Sequence, residues 1–278
     1  MSTEQAEALV DTVLNTQPID HGLPGHGWTL KKLLRWLALP FGGSRNSIRA
    51  VLKRAGLSWK KCKKLLGKAD PARRAAYLRQ FVALYDAMVR GEVTVLYIDE
   101  SHFHRDLDLG YTWSPIGGRV WRVTDCPSLS QRLNWYGAYD FTAGRCLIWE
   151  DGPCNTANTA RFLGEVADWA KGQTERVVVI WDGAPWHRTQ ALIEWAEGLG
   201  LEVMPLPSYS PDLNPIEGLW KWMREEVTQH HCHKSLEELR QACRAFIAAV
   251  SREPRMMIDR LWPRFEFDPE TEKLRFSG

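Results

Sequence analysis

Three carboxylates stand out by their sequence surroundings. Asp182 ends the short apolar, mostly β-branched run Val177 to Trp181, and Gly183 and Pro185 break any further strand. Asp99 ends a second such run, Val93 to Ile98. Glu217 belongs to Asn214-Pro215-Ile216-Glu217, which reads as a helix start with Asn214 as N-cap, Pro215 first and Glu217 third. Acids at such element ends gather where open α/β sheets place their ligands. Three of them suit phosphodiester cleavage without a protein nucleophile. That reaction needs an activated water or hydroxyl and a stabilised phosphate charge, and two divalent ions roughly 4 Å apart supply both. Magnesium takes a few carboxylates and keeps several waters, and manganese accepts the same oxygen ligands. On this reading Asp99 bridges both ions, while Asp182 and Glu217 each complete one shell. Each acid also has a plainer use, as a turn former, a helix cap or, for Glu217, one half of a capping box.

The elements that must position these acids read as a mixed α/β sheet flanked by helices. After the Asp99 strand come Glu100 to Phe103 and then Gly110 to Pro115, a loop with hairpin character. Asn134 to Tyr139 and Arg145 to Trp149 read as strands joined by the turn Asp140 to Gly144. Asn155 to Ala170 reads as an amphipathic helix. The Asp182 strand, a helix near Thr189 to Leu199, a strand at Leu201 to Pro205, the Glu217 helix and a helix near Leu236 to Val250 follow. Strands first and then alternating strand and helix give such a sheet.

Charge divides the chain. Fourteen of its 36 Lys/Arg, but only one of its 34 acids (Asp70), fall between His26 and Arg74. A basic module joined to an acidic one suggests a polyanion-binding part and a part that needs carboxylates. Within the basic stretch, Thr29 to about Leu39 and Ser44 to Ala55 read as two helices around the turn Pro40 to Gly43, closed by Gly56. A helix, a short turn and a basic second helix form a helix-turn-helix pattern. Arg45, Asn46, Arg49, Lys53 and Arg54 would face the DNA major groove, and Lys60, Lys61, Lys63 and Lys64 would lie along the phosphates. The expected partition is an N-terminal helix and linker (1–25), this module (26–70), a linker helix (71–92), the catalytic domain (93–252) and a C-terminal tail (253–278). The acidic N-terminus, the lack of a long apolar run and six scattered cysteines without CxxC predict a cytoplasmic, nucleoid-associated protein with reduced thiols and no membrane partner.

The segments VLYIDES, GYTWSPIG, VVVIWDGAPWHRT and LPSYSPDLNPIEGLWKWMR resemble the transposases of the mariner superfamily, in particular their bacterial insertion-sequence branch. In that family thirty-four residues separate the second Asp from the Glu, as they do between Asp182 and Glu217. The resemblance runs from about Val93 to Val250. It implies a ribonuclease-H-like fold, an Asp99–Asp182–Glu217 triad and magnesium-dependent cutting and joining of double-stranded DNA at element ends, with insertion at TA. Family members usually carry two helix-turn-helix units, whereas this chain has room for one. Concerted action on two ends predicts a homodimer.

Other residues carry weaker signals. His187 follows Asp182 where the family motif also has His, so it either supports the site or bonds structurally; His102, close behind Asp99, has the same two readings. Lys221 and Arg224 share a helix face with Glu217 and would meet DNA phosphates or nearby acids. Trp113 and Trp186 are placed to stack on unpaired bases. His230, His231, Cys232 and His233 invite a zinc reading, but adjacent residues chelate one ion poorly and no partner pair with ligand spacing is present. Two further functions compete with a transposase: a non-catalytic DNA-binding regulator derived from one, and a nuclease for RNA–DNA hybrids, which a module suited to B-form duplex disfavours.

Overall fold

The computed structural model describes residues 2–38, 44–59, 70–112, 114, 119–126 and 130–261. The chain divides into two compact units, Met1–Lys64 and Leu65–Gly278.

The first unit is helical. Helix α1 (Thr3–Asn15) starts in a capping box between Ser2 and Gln5, and α2 (Leu30–Ala38) starts where Thr29 Oγ1 accepts from Lys32 N. Helix α3 (Arg45–Arg54) is capped by Ser44 and ends before Gly56, whose φ of 78° an L-side chain rarely adopts. Leu9, Trp28, Leu33, Leu37, Ile48 and Val51 form one small core. The segment 18–27, expected to be a linker, is anchored to this core at Pro18 and Leu23 and is otherwise exposed. Pro18 is buried in a 3-10 turn, Trp28 Nε1 donates to the Thr16 carbonyl, and the His21, Trp28 and Trp36 rings meet. Its Pro and Gly content marks turns rather than slack chain. The α1 helix therefore belongs to the same core as α2 and α3.

The second unit is built on a five-stranded sheet of order β3-β2-β1-β4-β5. Strands β1 (Val93–His104), β2 (Arg132–Asp140) and β3 (Arg145–Asp151) run antiparallel, and β4 (Arg176–Trp181) and β5 (Leu201–Pro205) lie parallel to β1. This is the ribonuclease-H-like arrangement that the resemblance implies. Alternation along β1 divides the core. Val93, Val95, Tyr97 and Phe103 face α4 (Pro71–Val89), α7 (Ile216–Val227), α8 (Leu236–Val250) and α9 (Pro254–Leu261). Leu96 and Ile98 face α5 (Thr156–Ala170) and α6 (Gln190–Gly198).

Three expectations change here. First, β1 does not end at Asp99. It pairs with β4 only to Tyr97, but with β2 as far as His104, so Asp99 sits where β1 outruns β4. Second, α4 is no free linker: Tyr77, Leu78, Phe81, Leu84, Ala87 and Met88 are buried in the sheet's core. Third, the region after 252 begins with a core helix, since Met257 and Leu261 of α9 are buried beside α7 and α8. The described part of 110–115 shows no hairpin, and Tyr111 is 92% exposed. None of the five described cysteines is in a disulfide, and no helix among the described residues is long and apolar enough to cross a membrane.

One contact ties sheet to helix closely. A Cβ on Gly137 of β2 would meet Trp220 Cζ2 at 2.6 Å and Ile216 Cδ1 at 3.0 Å. Trp220 is 1% exposed and has no room to yield. Gly137→Ala is therefore expected to destabilise the second unit by about 1–3 kcal/mol, read as a lowered urea midpoint at unchanged slope.

Candidate active site

Three elements deliver the acids. Asp99 extends from β1 just past the end of β4, Asp182 follows the last residue of β4, and Glu217 stands in the first turn of α7. All three line one cleft of about 290 Å³, together with Gly183, Ala184, Arg188 and the loop Leu206 to Pro211. That loop reaches the cleft because Arg74, fully buried in α4, holds Asp212 through two hydrogen bonds of 3.0 and 2.8 Å. Its Tyr209 has φ 60°, a conformation uncommon for a non-glycine residue and often kept at functional sites.

The acids differ in setting. Asp99 is 8% exposed, and its Oδ2 accepts from Trp220 Nε1 at 3.0 Å. Burial, then the charges of Glu217, Glu100 and Asp182, push its carboxyl well above the usual carboxylate range. Glu217 is solvent-accessible, yet its carboxyl is also raised, by desolvation first and by Asp182, against the pull of Arg224. Asp182 goes the other way. Desolvation would raise it, but hydrogen bonds from His187 and from the Ala184 N–H outweigh that and lower it.

His187 is the structural bonder of the two readings, and it bonds to the site itself. It is 1% exposed, stacked on Trp181, with Nδ1 2.8 Å from Asp182 Oδ1 and Nε2 2.9 Å from Glu100 Oε1. Burial works against its charge, but these two carboxylates raise its pKa to about 10, so it is an imidazolium at neutral pH. Glu100 points to the α5 side of the sheet, opposite to Asp99, and also accepts from Thr159 Oγ1 at 3.2 Å. The imidazolium thus joins the two sheet faces past the end of β4. Glu100 and Trp220 went unmarked in the sequence. Glu100 had no signal beyond following Asp99, and Trp220 lay inside the segment YSPDLNPIEGLW.

The remaining predicted residues are placed as follows. His102 lies on the α5 side, three residues from Asp99 and so on the opposite face, bonded to Asn134 Oδ1 at 2.7 Å. It does not line the cleft. Asn214 does, but its side chain caps nothing; its buried Oδ1 has no partner, and Pro215 takes the cap position of α7. Arg224 is occupied, donating to Ser101 Oγ at 2.7 Å and the His102 carbonyl at 3.1 Å, over the Phe103 ring. Lys221 is exposed near Glu225 at 3.6 Å. Trp186 turns its ring toward His187 and does not line the cleft. Arg45, Asn46, Arg49, Lys53 and Arg54 are exposed on α3. Lys60, Lys61, Lys63, Lys64 and Trp113 lie outside the described residues.

The donor set suits hard divalent cations. Three carboxylates and an unpartnered amide oxygen share the cleft, and burial first, then the charges of neighbouring acids, raises two of the acids.

Residues 94–240 match the model of the DDE superfamily endonucleases. An uncharacterized 39 kDa protein of the insertion element IS630 from Shigella sonnei is 24% identical over 255 residues, 88% of this chain and 71% of that one. The Tcb2 transposase of Caenorhabditis briggsae is 37% identical over 60 residues, 21% of this chain and 22% of that one. The fold matches the crystal structure of the Mos1 strand transfer complex with a TM-score of 0.66 at 18% identity, covering 98% of this chain and 76% of that one. The chain belongs to the DDE superfamily endonucleases and is a DNA-cleaving transposase related to the insertion element IS630.

Proposed function

We propose that this transposase cuts its element's ends and joins the freed 3′-hydroxyls to target DNA at TA dinucleotides, through the triad Asp99, Asp182 and Glu217. The observation that carries this reading is the convergence of three acids from three elements on one cleft. The three would hold divalent ions, magnesium or manganese, which supply the activation of water or hydroxyl and the charge stabilisation at phosphate. Mos1 paired-end complexes with Mn and with Mg support that choice. Trp220 fixes the rotamer of Asp99, and His187, braced by Glu100, fixes that of Asp182. Arg188, at the cleft wall, donates its Nε to the Gly183 carbonyl and would turn its remaining N–H groups to a phosphate.

The first unit acts as the DNA-binding module, with α3 presenting Arg45, Asn46, Arg49, Lys53 and Arg54 to the major groove. The lysines at 60, 61, 63 and 64 add phosphate contacts. The chain works as a homodimer on two ends, a reading supported by the Mos1 paired-end complex with left transposon end.

The test is strand transfer with magnesium, pre-cut duplex ends and a TA-containing plasmid, comparing wild type with Glu217→Gln. Integration by wild type, a loss of at least about 10³-fold in the variant and unchanged duplex binding are expected. Tight duplex binding by wild type with no integration would instead favour a DNA-binding regulator.

A further inference from the structure

Away from the carboxylate cleft, His231, His233 and Glu238 each offer a ligand atom within 4.8 Å of the other two. The histidines lie on the loop between α7 and α8, and Glu238 lies in the first turn of α8. The sequence shows no partner for the histidines because the partner is a glutamate brought back by a helix start. Ser235 caps α8 by accepting from Glu238 N at 3.1 Å, and Glu238 Oε2 accepts from Lys234 N at 2.6 Å. Its Oε1 is thereby left 3.8 Å from His231 Nε2.

His233 carries the argument. It is 3% exposed, and its Nε2 donates to the Val227 carbonyl at 2.9 Å. That bond puts the ring proton on Nε2 and leaves a lone pair on Nδ1, which is buried and has no partner. A buried acceptor without a partner needs an explanation. An imidazole held by a backbone carbonyl through one nitrogen, with the other nitrogen bare, is how proteins orient histidine ligands to metals. The His231 ring meets it edge-on, with centroids 4.5 Å apart. These three residues line a pocket of about 480 Å³ together with Glu226.

We propose that His231, His233 and Glu238 form a second cation site, specific for a zinc-class transition metal. Two imidazole nitrogens and one carboxylate oxygen suit zinc and do not suit magnesium, which prefers all-oxygen shells. A fourth position is open to water or Glu226. The site is structural in purpose. The same loop is tied to the segment following β1, through Asp108 N to Thr228 O at 2.9 Å, His230 N to Asp108 O at 2.8 Å and His233 N to Arg105 O at 3.0 Å. A cation joining this loop to α8 braces the far end of the strand that carries Asp99.

The full chain, stripped of metal and then held in excess magnesium, would be titrated with Zn²⁺ by calorimetry and with Co²⁺ by absorption spectroscopy. One equivalent of Zn²⁺ that magnesium does not displace, cobalt bands of a four-coordinate site and a rise in Tm on zinc binding are expected. His231→Ala and Glu238→Gln, at positions open enough to solvent to fold normally, should each weaken zinc binding at least about 100-fold and lose the Tm rise. Asp182→Asn should leave zinc binding intact. Absence of stoichiometric binding, its survival in both ligand variants, or its loss in Asp182→Asn would overturn the proposal.

Discussion

Asp99→Asn is expected to abolish cutting and joining while raising the melting temperature of the metal-free protein. The substitution keeps the size of the side chain and an oxygen to accept from Trp220 Nε1, so the cleft should retain its shape. What changes is charge. Asp99 is buried, and the charges of Glu217, Glu100 and Asp182 add to that burial in raising its carboxyl well above the usual range. An acid raised in the folded state binds its proton more tightly there than in the unfolded chain. Folding therefore loses stability as pH climbs from the unfolded value of about 3.9 through the raised one, and at neutral pH the ionised group is a net cost. Asparagine removes that cost, a gain of about 1–2 kcal/mol, or about 2–8 °C in Tm for a unit of this size. Strand transfer should fall at least about 10³-fold, because the remaining two acids do not act independently of the third. Calorimetry in EDTA and integration assays in magnesium check the two halves. Added magnesium should raise the Tm of wild type and leave that of Asp99→Asn nearly unchanged. A variant that melts lower than wild type in EDTA would show that Asp99 is a structural hydrogen bonder.

How much of this was legible in the sequence follows from how local each signal is. Val177 to Trp181 announces β4 and its end, because β-branched residues followed by Gly183 and Pro185 leave no other reading. The caps Ser44 and Asn155 are equally local, and both accept from the backbone N–H three residues on. The length of β1 is not local. It is set by β2, which keeps pairing to His104 after β4 has stopped, so the strand runs on through the half-buried stretch ESHFH although its apolar run ends at Ile98. With β1 cut short at Ile98, the alternation that puts His102 and Glu100 on the face opposite Asp99 could not be applied. Asn214 fits an N-cap by residue type, but the chain turns one residue later, at Pro215, and the amide is left facing the cleft. Composition misled at 18–27, where Pro and Gly signal turns that Trp28 packs against. The Glu238 partner of His231 and His233 is hidden for the same reason as Glu100: one backbone turn supplies a neighbour that spacing does not announce.

His187→Ala should damage both stability and chemistry, and the pH dependence separates its cause from ordinary core damage. The imidazolium lies between Asp182 Oδ1 and Glu100 Oε1, and the Glu100 side chain is only 6% exposed. Removing the cation leaves Glu100 buried with Thr159 Oγ1 as its remaining side-chain donor. Breaking a buried pair by deleting one partner costs about 3–5 kcal/mol, and the lower end applies here because Asp182 is half exposed. A histidine whose folded pKa of about 10 stands above its unfolded value of about 6.5 contributes stability that is complete below pH 6.5. That contribution fades as pH rises toward 10. The stability gap between wild type and His187→Ala in urea should therefore be widest near pH 6 and narrow steadily by pH 10. A gap of constant size would point to lost packing against Trp181 rather than lost charge. His187→Gln makes the complementary test: it can still donate to one carboxylate but cannot bridge both. With Asp182 no longer held in place, the manganese concentration needed for half-maximal strand transfer should rise about 10–100-fold, the usual cost of losing an orienting partner behind a metal ligand. Stability should fall less than in His187→Ala. Unchanged manganese dependence in a folded His187→Gln protein would mean that Asp182 holds its position without the imidazolium.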